Sequence, residues 1–116
     1  MEFDTYSLVL LRRGPRAHEY DDDEEVLGQL QAQHLAHLDA MRERGALLVA
    51  GPFSDQEDTS FRGICVYRTG LAETQELAAL DPSVQAGRMR ADVVTWLTQK
   101  GALAFPGAID DRREQE

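Results

Sequence analysis

The sequence predicts an α+β fold in which four strands and two helices follow one another in the order β-α-β-β-α-β. Three observations lead to this prediction: four short apolar segments with the composition of strands, two amphipathic helical segments, and Gly or Pro residues between them. The order is that of the ferredoxin-like fold, a four-stranded antiparallel sheet with both helices on one face. A chain of 116 residues is the size of one domain with one hydrophobic core.

The first strand and the first helix are separated by a polar loop. Residues 5–12, TYSLVLLR, are aromatic, β-branched and aliphatic, which is typical of a strand. The acidic run at 21–25 is predicted to begin the helix, because carboxylates there cap free N–H groups and meet the positive end of the helix dipole. A divalent-cation site is the alternative interpretation of this run. Arg44 and Gly45 predict the end of the helix.

The second and third strands are predicted to pair as a hairpin. Residues 46–53, ALLVAGPF, end in a Gly-Pro turn, and residues 61–68, FRGICVYR, have the composition of a buried strand. The connection between them, SDQEDTS, is strongly acidic. We therefore expect a hairpin with a long, solvated tip.

The second helix and the last strand complete the domain. Residues 71–82, LAETQELAALDP, predict a helix that Pro82 ends or interrupts, because the residue before proline avoids the helical region. Residues 88–97, RMRADVVTWL, predict the last strand. We expect the domain to span 1–105 and a polar tail to occupy 106–116.

The predicted strands carry aliphatic side chains on both faces of the sheet. A sheet with helices on one face and water on the other should alternate apolar and polar residues, yet SLVLL at 7–11 and LLVA at 47–50 do not. A second copy of the chain, forming a homodimer, is the interpretation we favour for the cover over the second face. The C-terminal segment is the alternative within one chain.

Charge and cysteine content narrow the choice of partners. The chain has 21 acidic and 12 basic residues, a net charge of −9 and a pI near 4.7, so it repels phosphate backbones and anionic lipids. We expect neither nucleic acid nor membrane as a partner, and a small molecule as ligand or substrate. Cys65 is the only cysteine, so no intramolecular disulfide can form, which fits a cytoplasmic location.

One histidine lies inside the apolar stripe of the first helix. At 100° per residue, His34 falls in the same narrow arc as Leu30 and Leu38, so it is predicted to face the sheet. A buried imidazole needs a hydrogen-bond partner. The apolar spacing of the second helix places Asp81 at the end of its inward face, where a contact with His34 is geometrically reasonable.

These two residues also have simpler explanations. His34 could be a core residue with satisfied hydrogen bonds, and Asp81 before Pro82 is a common N-cap of a short helix. His37, on the flank of the same stripe, could join His34 in a metal site only if other ligands converged, and the HExxH motif is absent. We predict no metal. Motifs for phosphate binding, dinucleotide binding, serine hydrolysis and dithiol chemistry are also absent, so we predict no cofactor.

Three segments together resemble a known family. QHLAHLDAMRERGALLVAGPF at 33–53, GICVY at 63–67 and LAALDPSVQAGRMRADVVTW at 77–96 are similar in order and spacing to the YciI-like (YCII-related) domain. The resemblance implies a dimeric α/β barrel of ferredoxin-like subunits and an active site built on a His-Asp dyad. The family's histidine and aspartate fall on His34 and Asp81.

The resemblance also implies where a pocket lies. Gly51 and Pro52 match the family's glycine-proline turn at the pocket rim, and Gly63 matches the small residue on the third strand. We place His37 among the pocket residues as well. Members linked to chemistry resemble dehydrochlorinases or lactone isomerases, which implies a lyase- or isomerase-type proton transfer without cofactor. The alternative is a non-catalytic small-molecule binding or regulatory domain.

Overall fold

The four strands form where the apolar segments predict them. The computed structural model describes residues 2–105, so the predicted tail at 106–116 lies outside the described residues. The strands are β1 (Phe3–Arg13), β2 (Leu47–Pro52), β3 (Phe61–Tyr67) and β4 (Met89–Gln99). β1 and β4 are longer than predicted, because they pair with each other over their full length, from Phe3 opposite Gln99 to Arg13 opposite Met89.

The sheet confirms the predicted fold class. Its order is β2-β3-β1-β4, and every neighbouring pair is antiparallel. This order places the first and third strands in the centre, as the ferredoxin-like arrangement requires. The register of β1 against β3 shifts between Leu11 and Arg12, at the same end of the sheet where β2 ends.

The helices begin and end for local chemical reasons. α1 (Glu24–Glu43) starts at Asp23, whose carboxylate accepts a hydrogen bond from the Val26 N–H at 3.1 Å, so the acidic run is a helix start as predicted. It ends before Gly45, which has a φ of +80° that favours glycine. A short 3₁₀ turn at Ala17–Glu19, which the sequence pattern does not predict, precedes α1.

The second predicted helix is divided in two. α2 (Leu71–Ala79) stops before Pro82, and α3 (Pro82–Gln85) begins there with proline in its first turn. Asp81 lies between the two as the N-cap of α3.

The hydrophobic core lies between the helices and one face of the sheet. The sheet contributes Val9, Leu11, Cys65, Tyr67 and Met89, and the helices contribute Met41, Leu77 and Ala78. The opposite face, which we call the far face, keeps Val94 43% and Trp96 37% exposed. The Tyr6 ring on this face lies 6.2 Å from Trp96 and 5.6 Å from Phe105, so the segment after β4 reaches part of it. None of the helices between residues 2 and 105 is long and apolar enough to span a bilayer.

Candidate active site

His34 points from α1 towards the sheet, as its place in the apolar stripe predicts. It is 8% exposed and shares the buried side of the helix with Leu30 and Met41. An imidazole removed from water in this way requires a hydrogen-bond partner. That partner comes from the junction between α2 and α3.

Asp81 supplies the partner and caps a helix at the same time. One carboxylate oxygen, Oδ1, accepts the Ser83 N–H at 2.9 Å at the start of α3, and the other, Oδ2, lies 2.5 Å from His34 Nδ1. Asp81 is only 3% exposed. With its carboxylate ionised, Oδ2 can only accept, so we assign the proton to Nδ1, which donates it to Oδ2. The capping and pairing interpretations of Asp81 are therefore compatible, since each uses a different oxygen.

A second hydrogen bond holds α3 against α1. The hydroxyl of Ser83, which is fully buried, donates to the Leu30 carbonyl at 3.1 Å, one turn before His34. The relative position of the histidine and the aspartate is thus set by two contacts between the same two helices. Such support restricts the imidazole to one orientation.

A cavity of about 370 Å³ opens beside His34, between α1 and the helix-covered face of the sheet. Its volume lies in the range typical of small-molecule sites. His34 is part of the wall, and its Nε2 makes no hydrogen bond to any residue between 2 and 105. Nε2 is therefore the nitrogen available to a ligand, while Nδ1 is held by Asp81 behind it.

The predicted glycine-proline turn forms the wall opposite α1. Gly51, Pro52 and Gly63 all line the cavity. A Cβ at Gly63 would lie 2.4 Å from the Gly51 carbonyl oxygen, so only glycine allows β2 and β3 to approach this closely.

A comparison with protein-family models shows which family the chain belongs to. The model of the YCII-related domain matches residues 9–98, which include His34 on α1 and Asp81 at the N-cap of α3. The chain belongs to the YCII-related domain family. Comparison with curated proteins gives no match.

A solved structure has the same fold as this YCII-related domain. It is the 5-chloro-2-hydroxyhydroquinone dehydrochlorinase (TftG) from Burkholderia phenoliruptrix AC1100, in complex with 2,5-dihydroxybenzoquinone. The two chains are 16% identical, with a TM-score of 0.52, over 83% of the present chain and 95% of the dehydrochlorinase. At this identity the likeness establishes the fold.

His37 lies outside the cavity of this YCII-related domain, in contrast to our placement of it among the pocket residues. Three residues advance about 300° around a helix, so His37 lies about 60° from His34 on the flank of the stripe, and its side chain is not among those that line the cavity. Its Nε2 is buried without a hydrogen-bond partner among the described residues. Burial lowers the pKa of His37, an effect that Asp81 opposes and that His34 adds to.

Cys65 lines the cavity although its pattern in the sequence indicates only a buried apolar residue. Burial, with a smaller contribution from the Asp81 charge, raises the pKa of its thiol to about 12. A thiol in this state is uncharged near neutral pH and is a poor nucleophile. It serves as an apolar part of the wall.

Five polar residues of the cavity wall are not predicted by the sequence pattern: Gln31, Gln56, Arg13, Arg62 and Arg88. Gln31 precedes His34 by three residues on the same helix, so helical spacing could have indicated it. The arginines lie at three separate strand ends, and no spacing rule connects them. Within residues 2–105, no group of three or more His, Cys, Asp or Glu residues is arranged to bind a metal ion.

Proposed function

We propose that this YCII-related domain is a small-molecule enzyme in which His34 transfers a proton at an activated carbon of the substrate and Asp81 orients the imidazole. One observation carries the proposal: His34 lines the cavity, while its Nδ1 lies 2.5 Å from Oδ2 of the buried Asp81 carboxylate, which is not among the lining residues. We assign the proton of the imidazole to Nδ1. In this tautomer Nε2 has a free lone pair, as a general base requires.

The pair is suited to proton transfer in both directions. When Nε2 takes a proton from the substrate, the ring becomes an imidazolium, and the adjacent Asp81 carboxylate stabilises its positive charge. The same proton can then return to another atom of the substrate. General acid-base catalysis of this kind typically contributes about 10²- to 10⁴-fold in rate, and positioning in the cavity adds to it.

Two reaction classes fit this chemistry. In a dehydrochlorination, the base takes the proton, the C–H electron pair forms a C=C bond, and chloride leaves with the electron pair of the C–Cl bond. In an isomerisation, the proton is returned at a different carbon. Neither reaction needs an oxidant or a reductant, because dehydrochlorination releases only HCl and isomerisation releases nothing. The fold shared with a dehydrochlorinase supports the first class.

Two assays on the 116-residue protein test the proposal. The first measures chloride release from 5-chloro-2-hydroxyhydroquinone under anaerobic conditions. The second incubates small cyclic hydroxy and keto acids with the protein in D₂O and detects deuterium incorporation by mass spectrometry. His34→Gln and Asp81→Asn are compared with His18→Gln, since His18 is an exposed histidine in the loop before α1.

We expect His34→Gln to abolish turnover or exchange, Asp81→Asn to reduce it strongly, and His18→Gln to leave it unchanged. Unchanged activity in His34→Gln would refute the role of the histidine. Compounds that bind the cavity of the wild-type protein and are recovered without deuterium or chemical change would favour the non-catalytic binding domain.

We further propose that the functional unit is a homodimer formed through the far face of the sheet. Val94 and Trp96 leave large apolar side chains exposed there, and a second copy would remove them from water. Trp96→Glu would place a charge in this interface. We expect light scattering to give a dimer for the wild-type protein and a monomer for Trp96→Glu, and a wild-type monomer would refute the proposal.

A further inference from the structure

We infer that the cavity recognises an organic acid, whose oxyanion binds Arg62 and Arg88 while its carbon frame lies along the apolar wall towards His34. That the acid is a substrate, and not merely a ligand, rests on the function proposed above. The inference about its charge rests on the arginines alone.

The backbone brings three arginines to one end of the sheet. Arg13 is the last residue of β1, and its N–H donates to the Ser60 carbonyl at 2.7 Å just before β3. The next residue, Gly14, donates to the Arg88 carbonyl at 2.7 Å just before β4. Arg62 lies in β3, and all three arginines line the cavity.

The charge of this cavity is opposite to that of the protein. The chain carries a net charge of −9, yet the residues that line the cavity include three arginines and no aspartate or glutamate. Arg13 is neutralised by Asp21, with which it forms two side-chain hydrogen bonds. Arg62 and Arg88 form no ion pair with any residue between 2 and 105.

Arg62 is exposed and Arg88 is half-buried, and Asp21 offsets their positive charges only in part. Burial lowers the pKa of Arg88, and the positive charges of Arg62 and Arg13 lower it further, while Asp21 opposes the effect. Like charges in a partly buried site are unfavourable until a counter-charge arrives. A ligand with a carboxylate would supply it, since guanidinium groups bind planar oxyanions through paired N–H donors.

The rest of the wall indicates what is attached to the oxyanion. Leu35 and Leu38 of α1, Phe53 after β2 and Met89 of β4 are apolar residues of the same cavity. A volume of about 370 Å³ leaves room for a small ring beside the anionic group. An apolar wall would gain nothing from inorganic phosphate, so a carbon frame with one carboxylate fits both parts of the site.

Binding of a model acid tests the inference without requiring turnover. Benzoate, benzamide and inorganic phosphate are titrated into the ¹⁵N-labelled protein at constant ionic strength. The amides of Gly51 and Gly63 and the Nε–H groups of Arg62 and Arg88 report the site. Benzamide has nearly the shape of benzoate and no charge. Arg62→Gln and Arg88→Gln are compared with Arg42→Gln, an equal charge change at an exposed position of α1 outside the cavity.

We expect benzoate to bind at least about tenfold more tightly than benzamide, because a charge-assisted hydrogen bond is lost with the charge. Arg62→Gln and Arg88→Gln should each weaken benzoate binding by about tenfold and leave benzamide binding unchanged. Arg42→Gln should change neither. Phosphate should bind more weakly than benzoate.

Four results would overturn the inference: no saturable binding of benzoate to the wild-type protein, equal affinity for benzoate and benzamide, equal effects of the cavity and control arginine variants, or tighter binding of phosphate than of benzoate. Amide spectra of each variant verify that it is folded, and the comparison of benzoate with benzamide needs no variant. His34→Gln separates this inference from the proposed function, since it should lose turnover and keep the preference for benzoate.

Discussion

Asp81→Ala removes two hydrogen bonds through one substitution. The Ser83 N–H loses its acceptor at the start of α3, and His34 Nδ1 loses the acceptor of its proton. Asp81→Asn is a milder change, because its amide oxygen can still accept the Ser83 N–H. In that variant the NH₂ group faces Nδ1. The imidazole must then carry its proton on Nε2, so that Nδ1 can accept a hydrogen bond from the NH₂ group.

The structure permits an estimate of both effects. Loss of an N-cap destabilises a protein by about 0.5–2 kcal/mol. A buried donor left without an acceptor costs about 1–3 kcal/mol more, which applies here because His34 is 8% and Asp81 3% exposed. We therefore expect Asp81→Ala to lower the free energy of unfolding by about 2–4 kcal/mol. Asp81→Asn should lower it by about 1 kcal/mol, since the cap remains.

Urea unfolding followed by circular dichroism measures the free energies, and long-range ¹H–¹⁵N NMR identifies which imidazole nitrogen of His34 is protonated. Asp39→Ala is the matched control, because Asp39 is an exposed aspartate on α1. It should change the free energy of unfolding by less than about 0.5 kcal/mol.

Two results would refute this account of the pair. A loss below about 1 kcal/mol in Asp81→Ala would mean that neither hydrogen bond contributes as described. A proton that stays on Nδ1 in Asp81→Asn would mean that Asp81 does not set the tautomer of His34, and the proposed orientation of Nε2 as a base would lose its support.

Three further predictions concern the cavity wall and α1. Gly63→Ala should destabilise the fold by about 1–3 kcal/mol, because its Cβ would meet the Gly51 carbonyl oxygen, whereas Gly51→Ala, which meets nothing within 4 Å, should be tolerated in thermal unfolding. Cys65, whose pKa is raised to about 12, should react with iodoacetamide at pH 8 far more slowly in the folded protein than in urea, and equal rates would contradict its burial. The fold lowers the pKa of His37 below its ordinary value of 6.5, so the folded protein favours the neutral imidazole. The stability that this provides is present above about pH 6.5 and is lost as the pH falls. The stability of His37→Gln should accordingly fall less than that of the wild-type protein between about pH 7 and pH 5.

Local sequence patterns determined most of the fold. The alternation of strand-like and helical segments predicts the β-α-β-β-α-β order, and Asp23, Gly45 and Pro82 mark helix boundaries because capping and proline chemistry act within a few residues. The lengths of β1 and β4 are less well predicted. Pairing between distant segments sets where a strand ends, and a single segment contains little of that information.

The candidate site was likewise predicted only in part from the sequence. Helical spacing in the sequence is enough to predict that His34 faces the core, and the spacing of the second helix together with the family resemblance indicates Asp81 as its partner. The tertiary structure was needed to show that one Asp81 oxygen caps α3 while the other meets His34, and that the side chain of His37 does not line the cavity. It also brought Arg62 and Arg88 together, because residues 26 positions apart become neighbours only when antiparallel pairing aligns the ends of their strands.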